Sequence, residues 1–416
     1  MRKAASRLRG VLCGAVLAIA GESAGQPPQL PPPAQPRFER GDSVVVAGVQ
    51  IFDRVVYLPV RVSGAGPFTF VLDTGAGPFS AIDQSVADSL GFGSEFFVSG
   101  GGGAGEEETR INRVDSLSVS VDELSFEPRM LIGIPLHRMD PHWGKRKDGL
   151  IGGDLLSTLV IRIDYVRPAL ILHDARSYEY KGPGEAIPLQ VLNNIFVSAE
   201  VLLYDRDEPI KAFMMVDTGV RITTFNDPFS RASGLREQSP ATTQGVTGFG
   251  LAGVSRGVVG RVRGIRLGSI LIENPVTVFS TDQRGAFADT SFSGIIGADI
   301  LSRFDVVFDY SRQRMFLEKN ARFADPCKFD MSGLRFVMEG PRFAVLKVFS
   351  LFDGSPAAEA GFQPGDVVTA IDGRAASTFT RESLRSYLER EGADVRFTIR
   401  RGDVTRDIGL RLRRLV

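Results

Sequence analysis

A strand that runs directly into an Asp-Thr-Gly corner occurs twice in this sequence. Residues 70–75 read FVLDTG, and residues 214–219 read MMVDTG. In both copies an Asp directly follows a run of apolar residues, and such runs are usually buried in proteins. Because a charge beside a hydrophobic core needs a partner, each Asp is a candidate partner for the other. Two carboxylates held so close must share a proton, and such a pair can perform acid–base chemistry.

The sequence around the two corners is repeated as well. The corners are 144 residues apart (217 − 73). Two later apolar-apolar-Gly turns are 145 residues apart (297 − 152), and so are two Asp-Tyr pairs (309 − 164). Three landmarks with one period indicate an internal duplication of a whole lobe, not an array of short repeats.

The composition is that of a globular, mostly β protein. A chain of 416 residues is long enough for two to three domains. Its 46 Gly and 29 Phe, together with many short Val-rich runs, favour strands over long helices. The 49 basic and 49 acidic residues balance, so no charge excess indicates a nucleic-acid partner.

The N-terminus resembles a secretory signal peptide. Residues 1–25 contain four basic residues, a short apolar run and then small residues. We therefore expect an exported protein, periplasmic or secreted, with an uncleaved N-terminal membrane anchor as the alternative. Residues 26–41 are Pro-rich and predict an extended linker. No other stretch is long and apolar enough to span a membrane, so no membrane span is expected once the signal is cleaved.

Cysteine and histidine give no sign of a metal or a cofactor. Without the signal segment one cysteine remains, Cys327, which we interpret as a small buried hydrophobic residue. The three histidines stand in no partner motif for a catalytic thiol, and their spacing is not that of a metal site. We therefore expect neither a metal nor another cofactor.

The duplicated pattern resembles the aspartic peptidases of the pepsin and retropepsin type. In that family each lobe supplies an Asp-Thr/Ser-Gly corner, and a later apolar-apolar-Gly turn packs behind it. The resemblance implies two duplicated, six-stranded-type acid-protease β lobes in one chain, at residues 42–180 and 181–322. The residues that match the turns behind the two corners are Leu150, Ile151, Gly152, Ile295, Ile296 and Gly297.

The resemblance also implies a role for each corner residue. Asp73 and Asp217 would form the catalytic dyad, one ionised to activate a water and the other protonated to polarise the substrate carbonyl. Hydrogen bonds of Thr74 and Thr218 across the lobe junction would support the dyad. Gly75 and Gly219 would allow a close backbone approach. The alternatives are that the Asp residues are simple turn residues, or that the lobe pair is degenerate and not catalytic.

A glycine run lies where this family places the flap that closes over substrate. It comprises Gly100, Gly101, Gly102, Gly103 and Gly105. A flexible connection is the alternative interpretation of this run.

The sequence departs from the pepsin pattern in three places. No Tyr occurs between Phe70 and Asp154, so the flap tyrosine of pepsins has no counterpart. The first corner is followed by Ala-Gly and the second by Val-Arg. These departures suggest a bacterial or retropepsin-like branch.

Residues 326–416 resemble a different family, the PDZ domains. Residues 354–366 read GSPAAEAGFQPGD and match the central segment of that family. Gly333, Leu334, Arg335 and Phe336 match its carboxylate-binding loop. The resemblance implies a small α+β domain with a peptide groove between this loop and a helix over residues 380–391. A domain that serves only as a structural cap is the alternative.

These features together predict an aspartic endopeptidase with a peptide-binding PDZ domain. Its expected partners are a peptide or protein substrate in the cleft and a peptide or C-terminal ligand at the PDZ groove. Because one chain supplies both Asp residues, we expect a monomer. One alternative is a silent bilobal adaptor that acts through its PDZ domain, and another is a peptidase restricted to itself or to one partner.

Overall fold

The computed structural model describes residues 35–92, 97–100, 109–114, 117–128 and 131–416. These residues form 33 strands in four sheets, with only short helices. The predicted mostly β class is therefore confirmed. The predicted signal peptide and most of the Pro-rich linker lie outside the described residues.

The first lobe is built on an 11-stranded sheet. Its strands are Arg37–Phe38, Gln50–Phe52, Val55–Val62, Ala65–Leu72, Ser80–Asp83, Phe97–Gly100, Thr109–Val114, Val119–Val121, Leu124–Phe126, Leu131–Ile134 and Gly149–Ile151. The second lobe has a 10-stranded sheet. Its strands are Gln190–Val191, Ile195–Leu202, Ile210–Val216, Thr224–Phe225, Thr243–Gly250, Gly253–Arg261, Gly264–Leu267, Ile270–Glu273, Val276–Ser280 and Gly294–Ile296.

A six-stranded sheet joins the two lobes. Its strands are Ser43–Val45, Leu159–Asp164, Ala169–Asp174, Glu185–Pro188, Phe304–Asp309 and Arg314–Lys319. At its centre Leu159–Asp164 pairs antiparallel with its own repeat, Phe304–Asp309, in the register Arg162 opposite Val307. These two residues are 145 apart (307 − 162), so the sheet has a local two-fold relation that superimposes one copy of the duplication on the other.

Each lobe sheet has more strands than the six-stranded lobe expected from the resemblance. At one edge of the first lobe sheet the short strand Arg37–Phe38 pairs only with Leu124–Phe126, and at one edge of the second lobe sheet Ile270–Glu273 pairs only with Gly264–Leu267. The 145-residue period extends to the helices, since Gly153–Leu156 repeats as Ala298–Leu301. The helices of the two lobes are Gln84–Ser89, Asp140–Trp143, Gly153–Leu156, Asp227–Ala232 and Ala298–Leu301, with 3₁₀ turns at Leu136–Met139 and Ala286–Ala288.

The C-terminal domain has its own six-stranded sheet and its own core. Its strands are Leu334–Glu339, Val345–Leu351, Val367–Ile371, Arg374–Ala375, Asp394–Arg401 and Val404–Arg411. Its helices are Pro356–Glu359 and Arg381–Leu388, with 3₁₀ turns at Pro341–Phe343 and Ala376–Thr378. Thr380 caps the helix Arg381–Leu388 by accepting a hydrogen bond from the Ser383 backbone amide.

The buried hydrophobic residues form separate clusters, which show how the two lobes and the C-terminal domain pack together. One large cluster runs through both lobes and the joining sheet, whereas a second lies wholly within the C-terminal domain. A smaller cluster packs Phe352 and the terminal Val416 against Val276 and Val278 of the second lobe. The C-terminal domain is therefore fixed against the lobes by apolar contact. None of the helices in the described part of the chain is long and apolar enough to cross a membrane.

Candidate active site

Each Asp-Thr-Gly corner lies at the end of a central strand of its lobe. Ala65–Leu72 pairs in parallel with Gly149–Ile151, and Ile210–Val216 pairs in the same way with Gly294–Ile296. The partner strand continues the ladder into the corner, because the Asp73 amide donates to Ile151 O at 3.0 Å. The Asp217 amide donates to Ile296 O at the same distance.

The glycines of the two partner turns allow this packing. A Cβ on Gly297 would lie 3.0 Å from Val220 O, and one on Gly152 would collide with the carbonyl of Phe79. Any larger residue would push the turn away from the corner behind which it packs. The structure therefore places all six predicted turn residues directly behind the two corners.

The threonines of the two corners reach across the lobe junction. The Thr74 hydroxyl donates to Val216 O at 2.9 Å, and the Thr218 hydroxyl donates to Leu72 O at 2.7 Å. Each hydroxyl also accepts the backbone amide of the other threonine at 3.1 Å. Because all four bonds join opposite lobes and are buried, they fix the position of one corner relative to the other.

This network brings Asp73 and Asp217 together. Gly75 N donates to Asp73 Oδ1 at 2.9 Å, and Gly219 N donates to Asp217 Oδ1 at 2.7 Å. A Cβ on Gly219 would lie 2.6 Å from Asp73 Cγ, and one on Gly75 would collide with the Asp217 carboxyl. Each glycine therefore lies against the carboxyl of the opposite lobe, and a side-chain hydrogen bond joins the two carboxyls.

The two carboxyls are not equivalent. Burial raises the pKa of both, and the negative charge of Asp73 raises the pKa of Asp217 further. Asp217 is only 2% exposed, whereas Asp73 is partly open to the cleft. Lys147 lowers the pKa of Asp73, which opposes the effect of burial. The environment therefore favours a proton on Asp217 and a negative charge on Asp73.

Lys147 is a site residue that the sequence analysis missed. Its side chain is buried, and its ammonium lies over the Trp143 ring and 6.0 Å from the centre of the Tyr57 ring. Burial lowers the pKa of Lys147 well below its usual value, and the charges of Asp73 and Asp140 oppose that shift. No motif surrounds this lysine, so nothing local in the sequence marks it.

The carboxyl pair opens into a cavity of about 230 Å³ that has an apolar lining beside the dyad. Part of its wall is a hairpin of the second lobe, formed by Thr243–Gly250 and Gly253–Arg261. Residues 245–250 of this hairpin are rich in glycine. The segment is a strand because it pairs along its length with the next strand, with one irregularity between Val246 and Gly248.

The predicted flap of the first lobe is described only in part. Gly100 ends the strand Phe97–Gly100, which pairs with Thr109–Val114. Gly101, Gly102, Gly103 and Gly105 lie outside the described residues.

Comparisons with known proteins match two segments of the chain. Residues 58–155 match a family model described as aspartyl protease, and residues 353–401 match one described as PDZ domain. The chain contains an aspartyl protease domain and a PDZ domain. The protease match includes the first corner and its partner turn, and it ends before the second lobe.

The chain was also compared with solved structures and with curated protein sequences. An aspartic proteinase from Irpex lacteus aligns with 11% identity and a TM-score of 0.44 over 68% of this chain and 99% of its own. A search of curated protein sequences found no match.

The PDZ domain lies against the protease cleft. Arg335, Phe336 and Phe349 of the PDZ domain line the same cavity as the dyad. His142 of the first lobe stacks on Phe249 with ring centres 3.6 Å apart, and it meets Phe349 edge-on at 4.8 Å. The cavity beside the two carboxyls is therefore built from three parts of the chain, the two lobes and the PDZ domain.

The predicted PDZ groove is partly filled by the protein itself. Leu334 and Phe336 lie beside the helix Arg381–Leu388 around a space of only about 40 Å³. Arg381 donates to Phe336 O at 3.1 Å. Gly144 of the first lobe packs so closely that a Cβ there would lie 2.7 Å from the Met338 sulfur and 3.6 Å from Arg381 Cβ. A peptide that added to this strand would have to displace these groups.

The predicted carboxylate-binding loop already holds a carboxylate of its own. Asp330 Oδ1 accepts the backbone amides of Ser332 at 3.0 Å and of Gly333 at 2.6 Å. The Ser332 hydroxyl accepts the Leu334 amide at 3.1 Å. A terminal carboxylate would therefore compete with Asp330 for these amides.

The remaining reactive groups are Cys327 and the side chains that could bind a metal. Cys327 is half-buried, and the Arg303 guanidinium donates to its sulfur at 3.0 Å. Its surroundings are therefore more polar than expected of a buried hydrophobic residue. Within the described residues no three His, Cys, Asp or Glu side chains are grouped as metal ligands.

Proposed function

We propose that this protein is an aspartic endopeptidase that hydrolyses peptide bonds with a water molecule activated by Asp73 and Asp217. One observation carries the proposal: the four hydrogen bonds of Thr74 and Thr218 hold the two carboxyls against each other at the floor of a cleft. A purely structural pair of turn residues would not need two buried carboxyls in contact, because each raises the cost of burying the other.

The unequal environments support a division of roles. Asp73, ionised and partly exposed, takes a proton from water as the oxygen attacks the carbonyl carbon. Asp217 donates its proton to the carbonyl oxygen, which gives a neutral tetrahedral intermediate. When the C–N bond breaks, the proton on Asp73 goes to the leaving nitrogen and a hydroxyl proton returns to Asp217. The dyad is then restored without a covalent intermediate.

We also propose partners and a location for this enzyme. An extended peptide substrate would lie between the lobes, and the PDZ domain would bind a peptide or a protein terminus. Because one chain supplies both Asp residues, a monomer would suffice. The N-terminal sequence supports export to the periplasm or beyond, and fractionation of cells that express the full chain tests that location.

The test is peptide cleavage as a function of pH by the full chain and two variants. Asp73→Asn and Asp217→Asn should each reduce kcat at least a thousand-fold, because each removes one of the two proton-transfer groups. Asp207→Asn is the matched control, since the Asp207 side chain is fully exposed and precedes the strand Ile210–Val216, at the end of that strand away from the corner. Wild-type turnover by both dyad variants would refute the proposal. Binding of peptides without any cleavage by the wild type would favour the silent adaptor.

A further inference from the structure

Four arginines line the dyad cavity on the side where the protease lobes meet the PDZ domain. We call them the arginine cluster: Arg221, Arg335, Arg381 and Arg385. Arg221 follows the second Asp-Thr-Gly corner by two residues. The other three come from the strand and the helix that flank the PDZ groove.

The arginine cluster has few carboxylate partners at contact distance. Arg385 pairs with Asp53 at 2.9 Å, and Arg221 lies 3.7 Å from the same carboxylate. Among the described residues neither Arg335 nor Arg381 has an acidic side chain within ion-pair distance. Arg335 instead donates to Thr247 O at 3.4 Å, and Arg381 donates to a backbone carbonyl of its own groove.

Other acidic groups nearby do not neutralise this charge. Asp330 and Asp299 are half-buried, and desolvation raises the pKa of both. Asp330 accepts the Gly333 amide of its own loop, and Asp299 accepts the Thr223 amide from the segment after the second corner. Glu382 is engaged with the Asp53 amide at 2.5 Å. The cluster therefore keeps an excess of positive charge inside the cavity.

Two further observations indicate that the cluster is suited to bind an anion. The Nε atoms of Arg381 and Arg385 are buried without a hydrogen-bond partner. Burial and mutual repulsion lower the pKa of Arg221 to about 9 and those of Arg335 and Arg381 to about 10. An added anion would relieve both the repulsion and the missing hydrogen bonds.

We propose that the arginine cluster is a carboxylate-binding subsite of the substrate cleft, in which the PDZ domain helps to select peptides that carry a carboxylate near the bond to be cleaved. The carboxylate is either an Asp or Glu side chain or the C-terminus of the peptide. Guanidinium groups bind carboxylates through two parallel N–H donors, and partly buried guanidiniums bind them more strongly than exposed ones. This proposal rests on the proposed peptidase function, because it places the subsite beside the dyad.

Peptide binding to the full chain carrying Asp217→Asn tests the subsite without requiring catalysis. The probes are fluorescein-labelled eight-residue peptides of Ala, Leu and Phe, with Glu or Gln at each position in turn and with a C-terminal acid or amide. Fluorescence anisotropy gives the Kd of each. We expect at least a ten-fold preference for Glu over Gln at one position, or for acid over amide, and the pattern identifies the source of the carboxylate.

Arg335→Gln and Arg381→Gln should each reduce that preference to within about two-fold, because these two arginines lack an ion pair. Arg400→Gln, an exposed arginine on another PDZ strand, should leave it unchanged. Trp143 fluorescence and circular dichroism check that the variants are folded. Equal Kd values within every peptide pair, or undetectable binding of all peptides, overturn the subsite. A preference that survives in both Arg335→Gln and Arg381→Gln, or that is lost in Arg400→Gln, also overturns it. Cleavage without any charge preference would refute the subsite alone, whereas charge-selective binding without cleavage would refute the peptidase.

Discussion

Replacing Thr74 with Val should weaken the junction between the lobes by a calculable amount. The substitution keeps the size of the side chain but removes the hydroxyl. Val216 O loses its donor and the Thr218 amide loses its acceptor, and both residues are fully buried. Each buried polar group left unpaired costs about 1–3 kcal/mol, so the free energy of unfolding should fall by about 2–6 kcal/mol.

The local two-fold relation gives a second estimate. Thr218→Val removes a different pair of bonds, to Leu72 O and from the Thr74 amide, with similar lengths. Its effect on stability should therefore be similar. Thr74→Ser keeps the hydroxyl and loses one methyl, which should cost only about 1 kcal/mol.

The assay is urea denaturation followed by tryptophan fluorescence and by circular dichroism. Trp143 is the only tryptophan, and it lies in the cavity wall beside Lys147, so its emission reports on this region. Thr158→Val is the matched control, because Thr158 is partly exposed and its hydroxyl makes one bond, to Leu155 O. Water can replace that bond, so the control should change stability by less than about 1 kcal/mol.

Activity provides an independent measure of the same effect. If the threonines position the carboxyls, kcat should fall about a hundred-fold in either Val variant while KM changes little. A loss of stability below about 1 kcal/mol in both Val variants would refute the reasoning. So would a loss in Thr74→Ser as large as that in Thr74→Val.

Two buried ionisable groups give predictions for pH. Because Lys147 lowers the pKa of Asp73, the variant Lys147→Met should have a higher Asp73 pKa. The acidic limb of its kcat/KM profile should therefore move to higher pH. An unmoved limb would mean that the lysine is uncharged. Burial raises the pKa of Asp154 to about 7, so the folded protein holds a proton that the unfolded chain releases above about pH 4. The stability that this group contributes is thus lost as pH rises from about 4 to 7. Over that range the urea midpoint of Asp154→Asn should fall less than that of the wild type. Parallel plots of midpoint against pH would contradict the raised pKa of Asp154.

The sequence alone determined the mostly β class, the duplication and the carboxyl pair. This was possible because the corner and its partner turn are short segments whose backbone geometry limits which residues fit. Asp must end the strand, Thr must reach across, and Gly must admit the opposite carboxyl. Since the gene carries the motif twice, the spacing added evidence that a single copy would lack.

Only the tertiary structure decided what surrounds the dyad. Asp53 and Arg385 form an ion pair although they are 332 residues apart, and no pattern in either segment indicates the other. The arginine cluster likewise acquires its role from the docking of the PDZ domain against the lobes, whereas Lys147 acquires its role from packing within the first lobe. Local sequence records what a segment can form, whereas burial and charge at a domain junction depend on residues that are close only after folding. For that reason the sequence predicted the two aspartates of the site, and the folded chain supplied the charges that surround them.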